Sequence, residues 1–490
     1  MSATAVAVLI LQAFPPQPAY ADSNDRPNIV LVMADDLGWG DVGFNGNATI
    51  KTPHLNAMAK NGLTFRRFYA QSPVCSPTRG SVLTGRHPYR YGIFSANVGH
   101  MRSKERTLAE ILKANGYTTG HFGKWHLGTL TKTVRESNRG GPKGVTHFAP
   151  PSAHGFDVNF STEAKVPTWD PLLRPKGAKR RKWWDPVKDA RNATPYGTNY
   201  WSDGRRVTED LSGDDSRVIM DRAIPFIQSA AGRRQPFFAV VWFHAPHLPV
   251  VAGPKYTTLY PGKSRYEQHY YGCITAMDEQ VGRLRAELRK LKVADDTLLC
   301  FCSDNGPEGK SGKAPGSAAQ LRGRKRDLFE GGVRVPGLIE WPAKIKPGRT
   351  TDIPAVTSDY APTILDILGL KPKTQPRPID GVSLLPLITG AMTSRPRPIG
   401  FQSARQAALI DNRFKLLRLG VNTRPPGRKK KRRRKRDAGK PQLLLFDIIA
   451  DPSESKDVAK EHPSVVKAMT ARLNAWQKSC RSSLRGEDYR

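Results

Sequence analysis

Residues 28–34, Asn-Ile-Val-Leu-Val-Met-Ala, are an apolar run without alternation. A run of this length and texture predicts a parallel strand buried on both faces. Residues 237–243 and 297–302 repeat the pattern, and residues 117–122 read as another strand. Between the runs the period changes. In 271–291, Ile274, Val281, Leu284, Leu288 and Leu291 line one helical face. Residues 52–62 place Leu55, Met58 and Ala59 at helical spacing. Residues 107–115 carry a Thr107 cap, a Leu108/Ile111/Leu112 stripe and a Gly116 stop. Residues 357–370 read as a further helix, and 338–341 as one more short strand. Strand alternating with helix predicts an α/β fold, a large mostly parallel sheet sandwiched by helices.

The strands share a second property. Each apolar run ends in polar side chains: Asp35 and Asp36, Lys124 and His126, His244, Asp304 and Asn305. Open α/β sheets place ligands at the carboxyl ends of their strands. Each pair has a plainer reading, such as a helix cap for Asp35 or a solvated lysine beside a packed histidine. Four such endings at one edge favour a site. In an extended segment Lys124 and His126 share a face, which suits an oxyanion.

Residues 130–215 carry many Pro, Gly, Trp and basic residues and read as long functional insertions. Within them, 179–184 interleaves bases with two tryptophans. Past residue 396 the texture changes. Two hairpin strands turn about Asp411-Asn412, 443–446 adds a strand, and 463–478 reads as a helix. This divides the chain into a catalytic α/β unit, 22–395, and a small C-terminal α+β subdomain, 396–490. Nine consecutive bases, Arg428 to Arg436, form a self-repelling loop between strands.

Composition adds three constraints. There are 78 Lys and Arg against 43 Asp and Glu, a net charge of +35, which draws polyanions to the surface. Residues 1–21 read as a signal peptide, with an apolar stretch and Ala19-Tyr20-Ala21 before Asp22, although no base precedes the apolar run. Secretion or periplasmic export follows. No segment is long and apolar enough to act as a transmembrane anchor. Five cysteines are too few for a disulfide framework. Cys300 and Cys302 fall on one strand face with parallel side chains and should not bridge.

Cys75 stands apart. In Pro73-Val74-Cys75-Ser76-Pro77-Thr78-Arg79 it precedes a short helix, with Pro77 suited to the first helical position. A helix N-terminus and Arg79 four residues on favour an anion there. The plain alternative is a small buried hydrophobe. The continuation to Leu83-Thr84-Gly85-Arg86 completes the resemblance. The stretch resembles the signature of the type I sulfatases of the alkaline phosphatase superfamily. Asp35-Asp36-Leu37-Gly38, Gly123-Lys124-Trp125-His126, Ser303-Asp304-Asn305-Gly306, Leu321 to Lys325 with Glu330-Gly331-Gly332, and Leu445-Phe446-Asp447 also look like motifs of that family.

The resemblance implies that a formylglycine-generating enzyme converts Cys75 to formylglycine, whose hydrate attacks sulfur. It implies calcium, with magnesium the weaker candidate, held by Asp35, Asp36, Asp304, Asn305 and the modified residue 75. Oxygen ligands of this kind select a hard cation. Arg79, Lys124 and Lys325 would neutralise the sulfuryl oxygens. Asp304 would also act as base on the attacking hydroxyl, His126 would take the second proton, and His244 or Lys325 would protonate the leaving oxygen. His247 is a candidate substrate contact. The family's substrate-side Ser or His after the Gly155-Phe156-Asp157 stretch has no match. The implied substrate is a sulfated carbohydrate, with nucleic acid not expected. The alternatives are a phosphodiester or phosphonate ester hydrolase of the same superfamily and a non-catalytic polyanion-binding protein.

Overall fold

The computed structural model describes residues 26–136, 145–178, 181–420 and 441–489. The expected signal peptide and the basic loop 428–436 lie outside the described residues. A ten-stranded sheet forms the body. Its strands, in chain order, are Asn28–Ala34 (β1), Leu63–Phe65 (β2), Thr118–Lys124 (β3), Val158–Thr162 (β4), Tyr200–Ser202 (β5), Arg205–Val207 (β6), Phe237–Trp242 (β7), Thr297–Ser303 (β8), Gly337–Glu340 (β9) and Arg349–Thr351 (β10). The spatial order is β10-β2-β9-β8-β1-β7-β3-β4-β5-β6. The middle five, β8-β1-β7-β3-β4, are all parallel.

Both faces of this sheet are buried, as the unbroken apolar runs require. Ile29, Leu31 and Met33 enter one core with Phe238, Val240 and Trp242. Val30, Val32 and Ala34 enter the other with Ala239, Val241 and Phe301. The first core packs against helices Cys75–Thr84 (α2), Leu108–Ala114 (α3) and Tyr360–Ile367 (α6); the second packs against Pro53–Asn61 (α1), Asp215–Gly232 (α4) and Arg265–Lys290 (α5). Cys300 and Cys302 share the first core, and all five cysteines are free.

Two expectations change. Helix α5 begins at Arg265, six residues before the expected start at residue 271, because Ser264 and Glu267 form a capping box that starts it earlier. The stretch 130–215 is not only insertion: it supplies β4, β5 and β6 to the sheet. β4 carries Phe160 into the core, but its Asn, Ser and Thr residues hide the apolar period.

Past residue 396, strands Ile399–Ser403 (β11), Gln406–Ile410 (β12), Phe414–Leu419 (β13) and Gln442–Asp447 (β14) make an antiparallel sheet. One face carries helix Pro463–Leu484 (α7), through Leu409, Leu416, Met469 and Leu473. The other docks on the body, where Phe401, Ala408 and Phe446 meet Tyr69, Leu328 and Val356. Lys415 lies in this interface, 2.9 Å from Glu330 and 3.0 Å from Glu454. Tyr69 donates a hydrogen bond to Glu330 (3.0 Å). Burial pushes the Glu454 carboxyl up to about 7 against the pull of Lys415.

Breaking a buried pair by removing one partner leaves uncompensated charge. Lys415→Met should therefore cost about 3 kcal/mol in urea-monitored unfolding. An unchanged midpoint would show that the interface does not depend on this ion pair.

Candidate active site

The carboxyl ends of the parallel strands converge on one buried cluster. β1 runs directly into Asp35 and Asp36, and β8 into Asp304 and Asn305. Asp36 takes a left-handed backbone conformation (φ 67°), uncommon for a residue with a side chain. Its N–H donates to Asp304 Oδ1 at 3.1 Å, and Asn305 Nδ2 donates to Asp36 Oδ1 at 2.7 Å. The turn after Asn305 has no room for a side chain. A Cβ on Gly306 would lie 1.9 Å from the carbonyl oxygen of Gly331, which explains why the two glycine-bearing stretches occur together.

Three cations offset the three carboxylates. Lys124 at the end of β3 donates to Asp35 Oδ2 at 2.6 Å. Arg79 donates through Nε and Nη2 to Asp304 Oδ2 (3.1 and 2.7 Å) and through Nη1 to the Lys124 carbonyl (2.9 Å). Lys325 lies 2.5 Å from Asp36 Oδ1 and 3.5 Å from Glu308. The basic stretch around Lys325 thus places this residue, rather than its arginine neighbours, on the cluster. Burial pushes the Asp35 carboxyl up, but Lys124, His247 and Arg79 together hold it well below its usual range. Asp304 is pushed up to about 7 by burial and by the Asp35 charge, against Arg79 and Lys124.

Cys75 is the first residue of α2, so Pro77 stands at the third helical position, not the first. The backbone N–H has no intrahelical acceptor at either position, so proline costs nothing there. Cys75 is 2% exposed. Burial raises its thiol pKa, opposed by Lys124 and Lys325. A neutral buried thiol is a poor nucleophile. Its Sγ, Asp35 and Asp304 offer ligand atoms all within 4.8 Å of one another, as do Asp35, Asp36 and His247.

Two observations fit a cation among these residues. Asp35 Oδ1 and Asn305 Oδ1 are buried without a hydrogen-bond partner, and such orphaned acceptors are rare. The donor set is oxygen-rich, the preference of a hard divalent ion. A positive ion would also lower the raised Asp304 pKa.

A cleft of about 350 Å³ opens above the cluster, lined in part by Cys75, Lys124, His126, Lys165, His247 and Lys325. His126 reaches it with a left-handed backbone (φ 57°), so it is not on an extended strand beside Lys124; the chain turns between them. Its Nε2 meets Asn97 Oδ1 at 2.8 Å, and its carbonyl accepts the Ser76 hydroxyl. His244 does not line the cleft. It is fully buried, with Nε2 on Thr162 Oγ1 (2.7 Å) and Nδ1 on Asp215 Oδ2 (2.8 Å). A ring with both nitrogens committed to the framework cannot meet a leaving group. His247, three residues on, lines the cleft instead, with Nε2 3.6 Å from Asp36 Oδ2 and Nδ1 donating to the Leu248 carbonyl (2.7 Å). Lys165 and Glu308 were not legible as site residues. Lys165 follows β4, whose strand pattern is concealed, just past the Gly155-Phe156-Asp157 stretch, where the family's substrate-side Ser or His has no match.

Residues 27–370 match the family model described as Sulfatase. N-acetylgalactosamine-6-sulfatase of Sus scrofa is 33% identical over 385 residues, 76% of this chain and 67% of that protein. Arylsulfatase A of Bos taurus is 33% identical over 391 residues, 77% of this chain and 71% of that protein. Among solved structures, Ps i-CgsB in complex with k-i-k-neocarrahexaose superposes with a TM-score of 0.73 at 27% identity, covering 92% of this chain and 93% of that one. The chain belongs to the sulfatase family and is a sulfuric ester hydrolase.

Exchanging the two histidines in turn separates their roles. His247→Gln should lower kcat for 4-nitrophenyl sulfate by ~10²-fold at unchanged Tm, the scale of a lost proton-transfer group. His244→Gln should instead lower stability by about 2 kcal/mol through the Asp215 and Thr162 partners left unsatisfied. Reversed outcomes, read by turnover and thermal melts, would return the catalytic role to His244.

Proposed function

We propose that the chain hydrolyses a sulfate ester on a sulfated carbohydrate, with formylglycine derived from Cys75 as nucleophile. A divalent ion, calcium in first place, would be held by Asp35, Asp36, Asp304, Asn305 and residue 75. The carrying observation is the position of Cys75: its Sγ sits with Asp35 and Asp304 at the floor of a cleft walled by Lys124 and Lys325. The pig relative is named for N-acetylgalactosamine 6-sulfate and the i-CgsB structure holds an oligosaccharide, which supports a sugar substrate. We assign catalysis to residues 22–395, with 396–490 as a subdomain that lends Ser403 and Ala404 to the cleft wall.

Together the aldehyde hydrate and the cation would supply an activated oxygen nucleophile and a sulfate ester that can collapse by elimination. The chain's own groups do the rest. Arg79 is locked by Asp304 and the Lys124 carbonyl, so its charge is fixed before substrate arrives. Lys124 and Lys325 face the cleft and offset charge on the sulfuryl oxygens, the usual main contribution in such transfers. Lys325 is held protonated: burial lowers its pKa, but Asp36 raises it further, so it acts as a charge. His126, oriented by Asn97, takes the proton from residue 75 that drives release of sulfate. His247 carries its proton on Nδ1, as the Leu248 carbonyl requires, so Nε2 is an acceptor at rest and would take the proton of the attacking hydroxyl before passing it to the departing oxygen. Burial and Lys325 lower its pKa, so the resting imidazole is neutral.

Mass spectrometry of the tryptic peptide with residue 75, from the native host, should show a loss of about 18 Da for conversion of thiol to aldehyde. An unshifted peptide there would end the formylglycine reading. Treatment with a calcium-selective chelator should abolish turnover and lower Tm by several degrees, with both restored by millimolar Ca²⁺, because an ion that binds only the folded state stabilises it. Loss of activity without any change in Tm would place the ion elsewhere.

A further inference from the structure

Beside the catalytic cleft lies a second cavity of about 630 Å³, and the two share Lys165 and Leu248 in their walls. Five bases reach the second cavity: Arg135, Lys165, Arg174, Arg181 and Lys182. Among the described residues, no carboxylate lies within ion-pairing distance of any of them. Acids outside the cavity are engaged by other bases. Asp185 is taken by Arg265 and His269, Glu279 by Lys255, and Asp221 by Arg217 and Arg283. Five cations without a carboxylate partner around one hollow make a local positive field. Burial, together with the Lys124 and Lys325 charges, lowers the pKa of Lys165, so the repulsion reaches from one cavity into the other.

Ala178, Trp184, Tyr196, Leu248 and Pro249 give this cavity an apolar part. Ala178, Trp184 and Val251 form a buried cluster, with Trp169 and Tyr196 packed against it. A two-stranded ribbon, Leu173–Pro175 with Ala193–Pro195, carries Arg174, whose Nε donates to Thr194 Oγ1 at 3.3 Å. The stretch with Arg181 and Lys182 is tied to the segment beside Leu248: Val250 N–H donates to the Lys182 carbonyl (2.9 Å), and Trp183 bridges Val250. The bases are thus held on positioned backbone beside this apolar part. Aromatic side chains and cations lining one cavity complement a pyranose ring bearing anionic substituents.

We propose that this second cavity is a subsite for a further anionic group, sulfate or carboxylate, on a sugar adjoining the one whose sulfate is cleaved. This rests on the sulfated-carbohydrate reading above. The substrate would then be an acidic saccharide chain engaged at two charged positions, rather than a lone sulfated monosaccharide.

The test compares the wild type with Arg135→Gln/Arg174→Gln and with a control of equal charge change, Arg289→Gln/Lys290→Gln, at the far end of the sheet. Dextran sulfate and polygalacturonate oligomers are each titrated as inhibitors of 4-nitrophenyl sulfate hydrolysis. In the cavity variant, Ki for at least one oligomer should rise tenfold or more, and the oligomer that responds identifies the anion. In the same variant, Ki for inorganic sulfate and kcat/KM for the aryl sulfate should stay within twofold. The control should shift no constant more than twofold. Equal oligomer Ki values in all three proteins would overturn the subsite. So would a rise in Ki for inorganic sulfate as large as that for the oligomers. If the wild type fails to turn over aryl sulfate, the reading of the catalytic site fails, but Kd values for fluorescently labelled oligomers still decide the second cavity by the same tenfold criterion.

Discussion

The structure depends on the neutralisation of three carboxylates buried within contact of one another. Asp35, Asp36 and Asp304 lie at the ends of adjacent parallel strands, where mutual repulsion in a low-dielectric setting is severe. Each has its own cation: Lys124, Lys325 and Arg79 in turn. These come from separate parts of the chain, a sheet strand, a late loop and the helix that begins with Cys75. Balancing the acids therefore brings distant segments to one point. The lysines that make the acids tolerable also face the cleft, so on the proposed mechanism stability and anion recognition use the same charges.

Much of this arrangement is legible in the residues. The apolar runs at 28–34, 237–243 and 297–302 lie at β1, β7 and β8, because a strand buried on both faces has no polar positions with which to disguise itself. The polar residues at their ends meet because parallel strands present the same end to the same edge. Legibility fails where local pattern and tertiary position part. β4 is buried yet reads Val-Asn-Phe-Ser-Thr, since its neighbours satisfy its hydroxyl and amide groups. With β4 obscured, Lys165 cannot be placed.

The histidines show a different limit. His244 and His247 follow the same strand, and the family resemblance gives the proton transfer to His244, although nothing in the local sequence shows which imidazole is free. The choice is made by Asp215 on α4 and Thr162 on β4, which capture both nitrogens of His244 and leave the next imidazole to face the acids. These partners are 29 and 82 residues away in the chain. The left-handed turns at Asp36 and His126 are equally invisible in composition. Such conformations cost roughly 1–3 kcal/mol and persist where surrounding structure dictates them.

The burial of α2 has a temporal side. All ten of its residues are shielded, and Cys75 lies beneath a cleft of a few hundred cubic ångströms. No enzyme could grip the Cys75 segment in extended form without first dismantling the first core and the charge cluster. On the proposed maturation, conversion must overtake folding: the nascent chain has a window that closes once α2 docks and the strands beside it pair. A molecule that folds too quickly would be native in shape and permanently unfinished, so the speed at which this sheet assembles sets the fraction that ever becomes an enzyme.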